Sequence, residues 1–434
     1  MAAKSWLGMA GLREEQVAWS LFDAGCWGYV SVTLSCLLPL VLKQQTPASI
    51  EKYVSAVWAN AVAVGTLLAG ILCPFIGAMV DQLALRKVTV LVSGFVTCIF
   101  LSVAVSIDVE QWPAMVGFAV IGVMFYSLMQ AVYNSLLVHV SETSEDEVVF
   151  VSAVQCAIGN FGAMVLMTAL GLEEAKHSKK VIPIDYVQRC FLWSALWFFL
   201  FALPFAFVYQ EEPRHGKVHN VNLTHQVRSA ISAFKMSLQN RELLKYMIAT
   251  LIYSDASSTL FSVYMVYAAQ IGISNAVLLH CAVLNRWINV FMGFGWYYLS
   301  RLIGSRVCFL LSMSLTLLSA IACAVMHTDF DFWVMNLILS LAGSGGYIFS
   351  EIDLIVMQRV LLARLTTKDN TAQHFGFMAG VSRVSGMLGP LLYAAIIAVG
   401  GARAALVGLA VFSVPGIYLM ADVDFEVSKL INFS

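Results

Sequence analysis

The chain has 434 residues, of which 60% are hydrophobic and only 12% are charged, and its formal net charge is -1. Its mean hydropathy is +0.80. Soluble domains usually contain about 25% charged residues, so this composition excludes an ordinary soluble protein. In a bilayer every backbone N–H and C=O must be satisfied within the protein, and about 20 apolar residues span it as one helix. We therefore predict an all-α membrane protein.

About twelve apolar segments are long enough to cross a bilayer, and they form two sets of six. The first set is predicted at 16–42, 53–80, 87–107, 112–140, 149–171 and 187–209. The second set is predicted at 243–270, 275–299, 306–327, 332–359, 374–399 and 402–421. The predicted organisation is therefore an N-terminal segment 1–15, a six-helix half 16–209, a linker 210–242, a second half 243–421 and a tail 422–434.

The linker is the longest hydrophilic stretch of the chain. Its apolar residues recur at helical spacing, at Val227, Ile231, Phe234 and Leu238. This pattern predicts an amphipathic helix that lies along the membrane surface or beneath the bundle. A short solvated helix is the alternative.

Lysine and arginine are more frequent on the side of the predicted helices that carries both termini. The positive-inside rule therefore predicts cytoplasmic termini for this multi-pass protein. The plasma or inner membrane and a vacuolar membrane both stay open. All nine cysteines lie within apolar segments, with no CxxC pair, so we expect neither disulfides nor a metal site.

Charged residues are embedded in several of the predicted helices. A charge at membrane depth is costly, so it usually faces a cavity, a partner or a ligand. We therefore treat these residues as candidates for substrate binding or proton coupling: Asp23, Asp255, Arg286, Glu351, Asp353 and Arg383. Further polar candidates are Asn60, Tyr133 and Asn134, for which interhelical packing is the alternative role.

The embedded acids and bases suggest different tasks. Asp23 and Asp255 can bind a cationic group or exchange a proton, or each can anchor a local hydrogen-bond network. Arg286 and Arg383 stay charged, so each needs a carboxylate partner or an anionic ligand. We expect one acid of helix ten, Glu351 or Asp353, to neutralise an arginine and the other to face the substrate or a proton. A double ion pair is the alternative.

Two short patterns recur between the halves. Asp23 in helix one has a counterpart 232 residues later, Asp255 in helix seven. In helix five Gly159 and Gly162 recur as Gly386 and Gly389, both 227 residues later. Parallel six-helix repeats about a central axis describe the major facilitator architecture, in which substrate binds near the midplane between the halves.

The loop between helices two and three contains Gly77, Asp81, Arg86 and Lys87. It resembles the major facilitator loop signature, which has a glycine, three further residues, an aspartate and a basic cluster. Gln82 departs from that signature, because the family has a basic residue after the aspartate. The resemblance implies a conformational latch between open states; an ordinary solvated turn is the alternative.

Longer motifs resemble the vacuole effluxer Atg22-like branch of the major facilitator superfamily, and they occur in the family's order over most of the chain. They are 19–23, 74–87, 133–137, 151–162, 191–204, 253–255, 359–365, 375–376 and 389–390. The resemblance implies export of amino acids from an acidic vacuole. The chain departs from the family pattern at Cys26, Ser254, Ile352 and Asp353, which are positions expected near the cavity.

These observations predict a secondary active transporter of small organic solutes, amino acids or related zwitterions, that works by alternating access. Coupling to protons is a further hypothesis. The expected partners are a small-molecule substrate and the lipid bilayer, with no nucleic acid and with a monomeric chain. The alternative is a non-transporting receptor or scaffold on the same fold. Neither an HExxH nor a GxSxG motif is present, so we predict no enzyme and no cofactor.

Overall fold

The computed structural model describes residues 12–38, 41–42, 54–107, 111–141, 145–170, 184–211, 240–342, 356–366, 371, 374–378 and 388–425. The helices of the first half are α1 (Glu14–Val32), α2 (Val54–Leu83), α3 (Arg86–Val105), α4 (Trp112–Ser135), α5 (Glu145–Ala169) and α6 (Ile184–Val208). A π-helical segment, Thr33–Leu37, continues α1, and a single helical turn, Leu137–Val140, follows α4.

The helices of the second half are α7 (Arg241–Gln270), α8 (Asn275–Ile303), α9 (Ser305–Val325), α10 (Asp329–Leu341), α11 (Val356–Arg364) and α12 (Leu388–Asp422). Two helical stretches meet within α12 at Gly401, whose φ of 78° breaks the helical path. The predicted helix ten is represented by α10 and α11. Parts of helices ten and eleven, and linker residues 212–239, lie outside the described residues.

Seven helical segments in the described part of the chain are long and apolar enough to cross a membrane. The prediction of an all-α membrane protein is confirmed, whereas the count of twelve spanning helices stays a prediction. Local sequence sets several boundaries. Ser274 caps α8 by accepting a hydrogen bond from the Val277 backbone, and Gly304, at φ 84°, separates α8 from α9. Thr328 and Asp331 form a capping box at the start of α10.

In the described part of the chain, contacts between neighbouring helices follow the order of a ring of eight helices. Within the first half, a Cβ at Gly162 of α5 would lie 2.6 Å from the Cβ of Ala24 in α1. The hydroxyl of Tyr133 in α4 donates to the Trp19 carbonyl of α1 at 2.7 Å. A Cβ at Gly65 of α2 would lie 2.7 Å from the Val120 carbonyl of α4. The order along this half of the ring is therefore α5, α1, α4 and α2.

The second half continues the ring in the same manner. A Cβ at Gly376, in the first described part of helix eleven, would lie 2.6 Å from the Cys73 carbonyl of α2. The start of α12 contacts α7, α7 contacts α10 through stacked rings of Tyr264 and Phe332, and α10 contacts α8. Finally, α8 packs against α5. The remaining helices α3, α6 and α9, with the end of α12, pack on the outside of this ring.

We call the face of the bundle that carries the turn between α2 and α3 the loop face. The starts of α1 and α7 both lie there. The Gln210 amide, just after α6, donates to Glu15 at 3.5 Å, and Lys245 pairs with Asp422 at 2.7 Å. Arg301, near the end of α8, pairs with Asp146 at the start of α5, at 3.1 Å. The two halves therefore have the same orientation, as parallel repeats require.

Several contacts between the halves lie in the parts of the helices nearest the loop face. They include the Arg301–Asp146 ion pair, the Phe150 and Tyr297 rings 5.0 Å apart, and a hydrogen bond of 2.9 Å between His139 and Thr371. The hydrophobic cluster of the second half also includes Val149 and Ala153 of α5. Among the described residues, the two halves are therefore in contact at the loop face, and we call this arrangement the closed loop face.

Candidate functional site

The first candidate carboxyl group, Asp23, is completely buried in α1. It lies against the backbone of α5 at Gly159. A Cβ at Gly159 would lie 3.1 Å from Asp23 Cγ and 2.9 Å from Trp27 Cδ1. These distances are too short for an ordinary side chain, so glycine is what allows the carboxyl group to lie between the two helices.

The second candidate carboxyl group, Asp255, is 1% exposed in α7. It lies against Gly389 near the start of α12, where a Cβ would lie 3.1 Å from Asp255 Oδ1 and would also meet Thr259. The Asp255 carbonyl accepts hydrogen bonds from the hydroxyls of Thr259, at 2.7 Å, and Ser258, at 3.2 Å. The polar groups of this helical turn thus bond to their own backbone.

Asp23 and Asp255 therefore occupy similar environments in the two halves. Each is a buried carboxyl group of the first helix of its half, and each lies against a glycine of the fifth predicted helix of that half. In the second half this fifth predicted helix, 374–399, includes the start of α12. The sequence repeat had paired Gly389 with Gly162, but Gly389 occupies the place beside Asp255 that Gly159 occupies beside Asp23. The repeat is thus present as a carboxyl–glycine contact, with a register slightly different from the one that the sequence offset predicts.

The other charged candidates are described only in part. Arg286 lies in α8, and its helical backbone is described while its side chain is not. Glu351, Asp353 and Arg383 lie outside the described residues. The sharing of roles between Glu351 and Asp353 stays a prediction.

The polar candidates of the first half lie in different surroundings. Tyr133 is completely buried, and its hydroxyl donates to the Trp19 carbonyl while the Trp19 indole donates to the Tyr133 carbonyl at 3.3 Å. Asn134 is 2% exposed, whereas Asn60 is exposed on the side of α2 that also carries Val64. Tyr133 thus joins α1 to α4, and Asn60 is not part of the buried group around Asp23.

The latch candidates form an ion-pair network on the loop face. The Arg86 guanidinium donates to Asp81 Oδ1 at 2.6 and 3.0 Å, and both side chains are at least 90% buried. Lys87 donates to the Tyr209 carbonyl at 2.7 Å. Gly77 is buried one turn before Asp81. A positive φ of 51° at Ala84 reverses the chain, so that Arg86 reaches Asp81 although the basic pair comes late in the motif.

Sequence reasoning missed the acid that completes this network, Glu211 at the end of α6. Its carboxylate accepts from the backbone amides of Arg86, at 3.0 Å, and Lys87, at 3.1 Å, and from the Arg86 side chain at 3.3 Å. A carboxylate at the N-terminus of α3 is stabilised by the exposed amides of the helix end and by the helix dipole. The sequence shows only that Glu211 is an acid just after a spanning helix. Acids at such positions are common, so this feature does not indicate a partner.

A second group that the sequence did not reveal joins α8 to α10. Asn285 and Asn336 exchange side-chain hydrogen bonds of 3.0 and 2.9 Å, and the Ser340 hydroxyl donates to Asn285. All three side chains are buried. Reciprocal amides of this kind fix the rotation of one helix against another, which here includes the helix that carries Arg286. Among the described residues, no group of three His, Cys, Asp or Glu is suited to hold a metal ion.

Comparison with known proteins places this fold among transporters. The family model "Vacuole effluxer Atg22 like" matches residues 33–430. An "Uncharacterized MFS-type transporter YxiO" of Bacillus subtilis (strain 168) is 23% identical over 436 residues, with 97% of each chain covered.

Solved structures with the same fold include the human organic anion transporter MFSD10 (TETRAN). It has a TM-score of 0.72 and 13% identity, with 94% of this chain and 99% of that chain covered. The transporter FucP in the outward conformation has a TM-score of 0.69 and 12% identity, with 95% and 100% covered. The proton:xylose symporter XylE has a TM-score of 0.68 and 12% identity, with 94% and 95% covered. At these identities the structures show a shared fold.

Proposed function

Because this chain belongs to the vacuole effluxer Atg22-like family and is a transporter of the major facilitator type, we propose that it moves amino acids or related zwitterions by alternating access. The observation that carries this proposal is the buried carboxyl group of each half, Asp23 and Asp255, held against a glycine of a neighbouring helix. Embedded acids of this kind are costly in a membrane and are retained for binding or proton transfer.

The closed loop face supports alternating access. Six of the eight ring contacts lie within a half, and the α5–α8 and α2–helix eleven contacts join the halves. Rocking of one half against the other would break these two joints and leave contacts within each half intact. The Asp81–Arg86–Glu211 network lies entirely within the first half and keeps the α2–α3 turn and the end of α6 together during that motion.

We further propose that the loop face is cytoplasmic, as the distribution of lysine and arginine predicts, and that both termini lie on that side. The closed state described here then opens to the opposite side of the membrane. The chain would act as a monomer in a plasma, inner or vacuolar membrane, because one chain supplies both halves of the ring.

Protons are the proposed coupling ion. Buried carboxyl groups can take up and release protons as the two open states alternate, and Asp23, Asp255 and Glu351 are the candidates. Arg286 and Arg383 are the candidates for binding the substrate carboxylate, since arginine stays charged in a protein. These roles support a symporter in which proton and substrate move together.

Uptake of radiolabelled amino acids by proteoliposomes tests this function. We expect uptake that rises when the pH gradient is imposed in one direction and falls when an ionophore removes it. Uptake that does not depend on the pH gradient would contradict proton coupling but would still support transport.

A thermal-shift screen against amino acids, peptides and nucleosides at two pH values would identify the substrate class, because a ligand that binds the folded state raises the melting temperature. Failure of both assays would favour the receptor or scaffold.

A further inference from the structure

The packing of α5 against α8 has a regular antiparallel register. Three contacts define it: Asp146 Oδ2 to Arg301 Nε at 3.1 Å, the Phe150 and Tyr297 rings at 5.0 Å, and the Ala153 carbonyl, which would lie 3.0 Å from a Cβ at Gly293. Each step of three or four residues forward along α5 is matched by a step of four residues back along α8. The two helices therefore run side by side across the boundary between the halves.

This register can be followed two turns further from the loop face. Cys156, three residues after Ala153, and Met292, one residue before Gly293, both pack against the hydrophobic cluster of the second half, so the helices still pack against that cluster at this point. Seven residues after Ala153 is Asn160, and seven residues before Gly293 is Arg286. Seven residues are nearly two full turns of an α-helix, so they return to the same side of each helix. The register thus places Arg286 at the position on α8 opposite Asn160.

Asp23 lies at the same level as this pair of positions. Its carboxyl group contacts Gly159, the residue directly before Asn160. Asp23, Asn160 and Arg286 are therefore at one level on three successive helices of the ring, α1, α5 and α8. Neighbouring helix axes are about 8–10 Å apart, so the axes of α1 and α8 are separated by no more than about 20 Å.

The exposed residues of α5 and α8 show which face of each helix lies on the outside of the ring. Phe161 is 52% exposed on α5, and Trp287 and Phe291 are 46% and 64% exposed on α8. Large exposed apolar residues that share one face of a helix are typical of a surface in contact with lipid. Positions 160 and 286 are about 100° around their helices from Phe161 and Trp287, and therefore off the exposed face of each helix. Asn160 is half-buried, and its amide donates to the Cys156 carbonyl at 2.9 Å.

We propose that Asp23, Asn160 and Arg286 form one two-pole binding site that spans the boundary between the halves. The ammonium group of a zwitterion binds at Asp23, its carboxylate binds at Arg286, and the Asn160 amide binds the polar atoms between them. This site rests on the proposed function, and it places the substrate beside α1, α5 and α8. Asp255, which contacts Gly389 on the opposite side of the ring, does not contact this ligand. Because Asp23 and Asn160 belong to the first half and Arg286 to the second, binding of the ligand would depend on how the two halves are positioned.

Analogue discrimination tests the two poles. The assay measures how well the deaminated acid and the decarboxylated amine of each transported neutral amino acid compete in exchange across proteoliposomes. Wild-type protein should prefer the intact amino acid over each analogue by about tenfold or more, because either analogue leaves one charged side chain of the site without its ligand group. Asp23→Asn should lose the preference over the acid, and Arg286→Gln should lose the preference over the amine. Asn160→Ala should weaken binding of the amino acid itself.

Asp255→Asn is the matched control, and it should keep both preferences. Equal loss of a preference in Asp255→Asn and Asp23→Asn would overturn the proposed site, as would an unchanged preference in Arg286→Gln. If wild-type protein exchanges no amino acid, the proposed substrate class and this ligand assignment both fail.

Cross-linking tests the register independently of any substrate. Asn160→Cys and Arg286→Cys are combined in a Cys156→Ser background, with a protease site placed in linker 212–239. A short thiol cross-linker should keep the two halves together after cleavage. The control pair, Asn160→Cys with Trp287→Cys, should separate because Trp287 lies on the exposed side of α8. Equal cross-linking of both pairs, or of the control pair alone, would overturn the site even if amino acids are transported.

Discussion

The structure gives a physical reason for two glycines, of which the sequence showed only that they belong to a repeat. Gly159 and Gly389 leave room for Asp23 and Asp255, which are both buried. A carboxyl group beside a helix backbone fills the space that a side chain would need. The embedded acids were predictable from hydropathy alone, but their contact with these glycines was not, because it depends on which helices become neighbours.

Substitution of these glycines should destabilise the protein. Gly159→Ala would place a methyl group against Asp23 and Trp27, and overpacking of this kind costs about 1–3 kcal/mol. Gly389→Ala should behave alike. The control is Gly117→Ala in α4, where nothing lies within 4 Å of the added Cβ and where alanine is the better helix former. Thermal unfolding in detergent should rank both test variants below wild type and Gly117→Ala at or above it; equal melting temperatures for Gly159→Ala and Gly117→Ala would contradict this account.

Asp331 provides a control acid for proton coupling. The backbone amides of His327 and Thr328 each donate to its carboxylate at 2.9 Å, and these bonds lower the pKa of Asp331. A lowered pKa gives stability that is present above the ordinary aspartate value and is lost only as the pH falls through the lowered value.

Asp331 therefore stays ionised between about pH 5 and 8, well above the ordinary aspartate pKa. We expect Asp331→Asn to leave the pH profile of the initial uptake rate unchanged, while Asp255→Asn flattens it. Flattening of the profile by Asp331→Asn as well would show that loss of an acid alone, rather than loss of the coupling group, changes the profile.

At the scale of elements, the boundaries that depend on local chemistry were close to their predictions, while the contacts between elements were not predictable. The start of α3 at Arg86 and the end of α6 at Val208 each lie within one residue of the expected position. Glu211, however, bonds to the start of α3 across 125 residues of chain, and no periodicity in the sequence indicates that partnership. The reciprocal Asn285–Asn336 pair was missed for the same reason.

Removal of the Glu211 carboxylate should weaken the joint between α3 and α6. In Glu211→Ala the Arg86 side chain and two backbone amides lose an acceptor, while Arg86 keeps Asp81 as its partner. The cost should therefore stay below about 3–5 kcal/mol, which is the cost of a buried charge left without any partner. The matched control is Asp185→Ala, an exposed acid in the first turn of α6. Thermal unfolding should show a clear loss for Glu211→Ala and little change for Asp185→Ala. Similar small changes in both would mean that Asp81 alone neutralises Arg86.

At the scale of the whole molecule, the two-half organisation follows from composition and from the repeat, whereas the conformational state does not. Hydropathy predicts spanning helices, and the Asp23–Asp255 correspondence predicts parallel halves. Neither indicates that the loop face is closed, because this closure depends on contacts across the boundary between the halves. These contacts join residues such as Phe150 and Tyr297, which are far apart in sequence and individually ordinary.

The closed loop face should depend more on Tyr297 than on the ion pair beside it. Arg301 and Asp146 are each 54% exposed, and exposed ion pairs contribute about 0.2–1 kcal/mol. Tyr297 packs against Phe150 and also lies beneath the Arg301 guanidinium, 5.9 Å from its ring centre. Aromatic pairs add about 0.5–1.5 kcal/mol beyond their burial, so Tyr297→Ala removes the larger share of the joint.

A loss of about 1.4 kcal/mol changes the ratio of the closed to the open loop face tenfold. Spin labels on α5 and α8 near the loop face would report that ratio as a distance distribution in proteoliposomes. We expect Tyr297→Ala to shift most of the population towards the longer distance and Arg301→Gln to shift it by a few-fold at most. Tyr298→Ala is the control, because Tyr298 is 64% exposed on the outer side of the same helix. A larger shift in Arg301→Gln than in Tyr297→Ala would show that the ion pair, and not the packing of α5 against α8, holds the loop face closed.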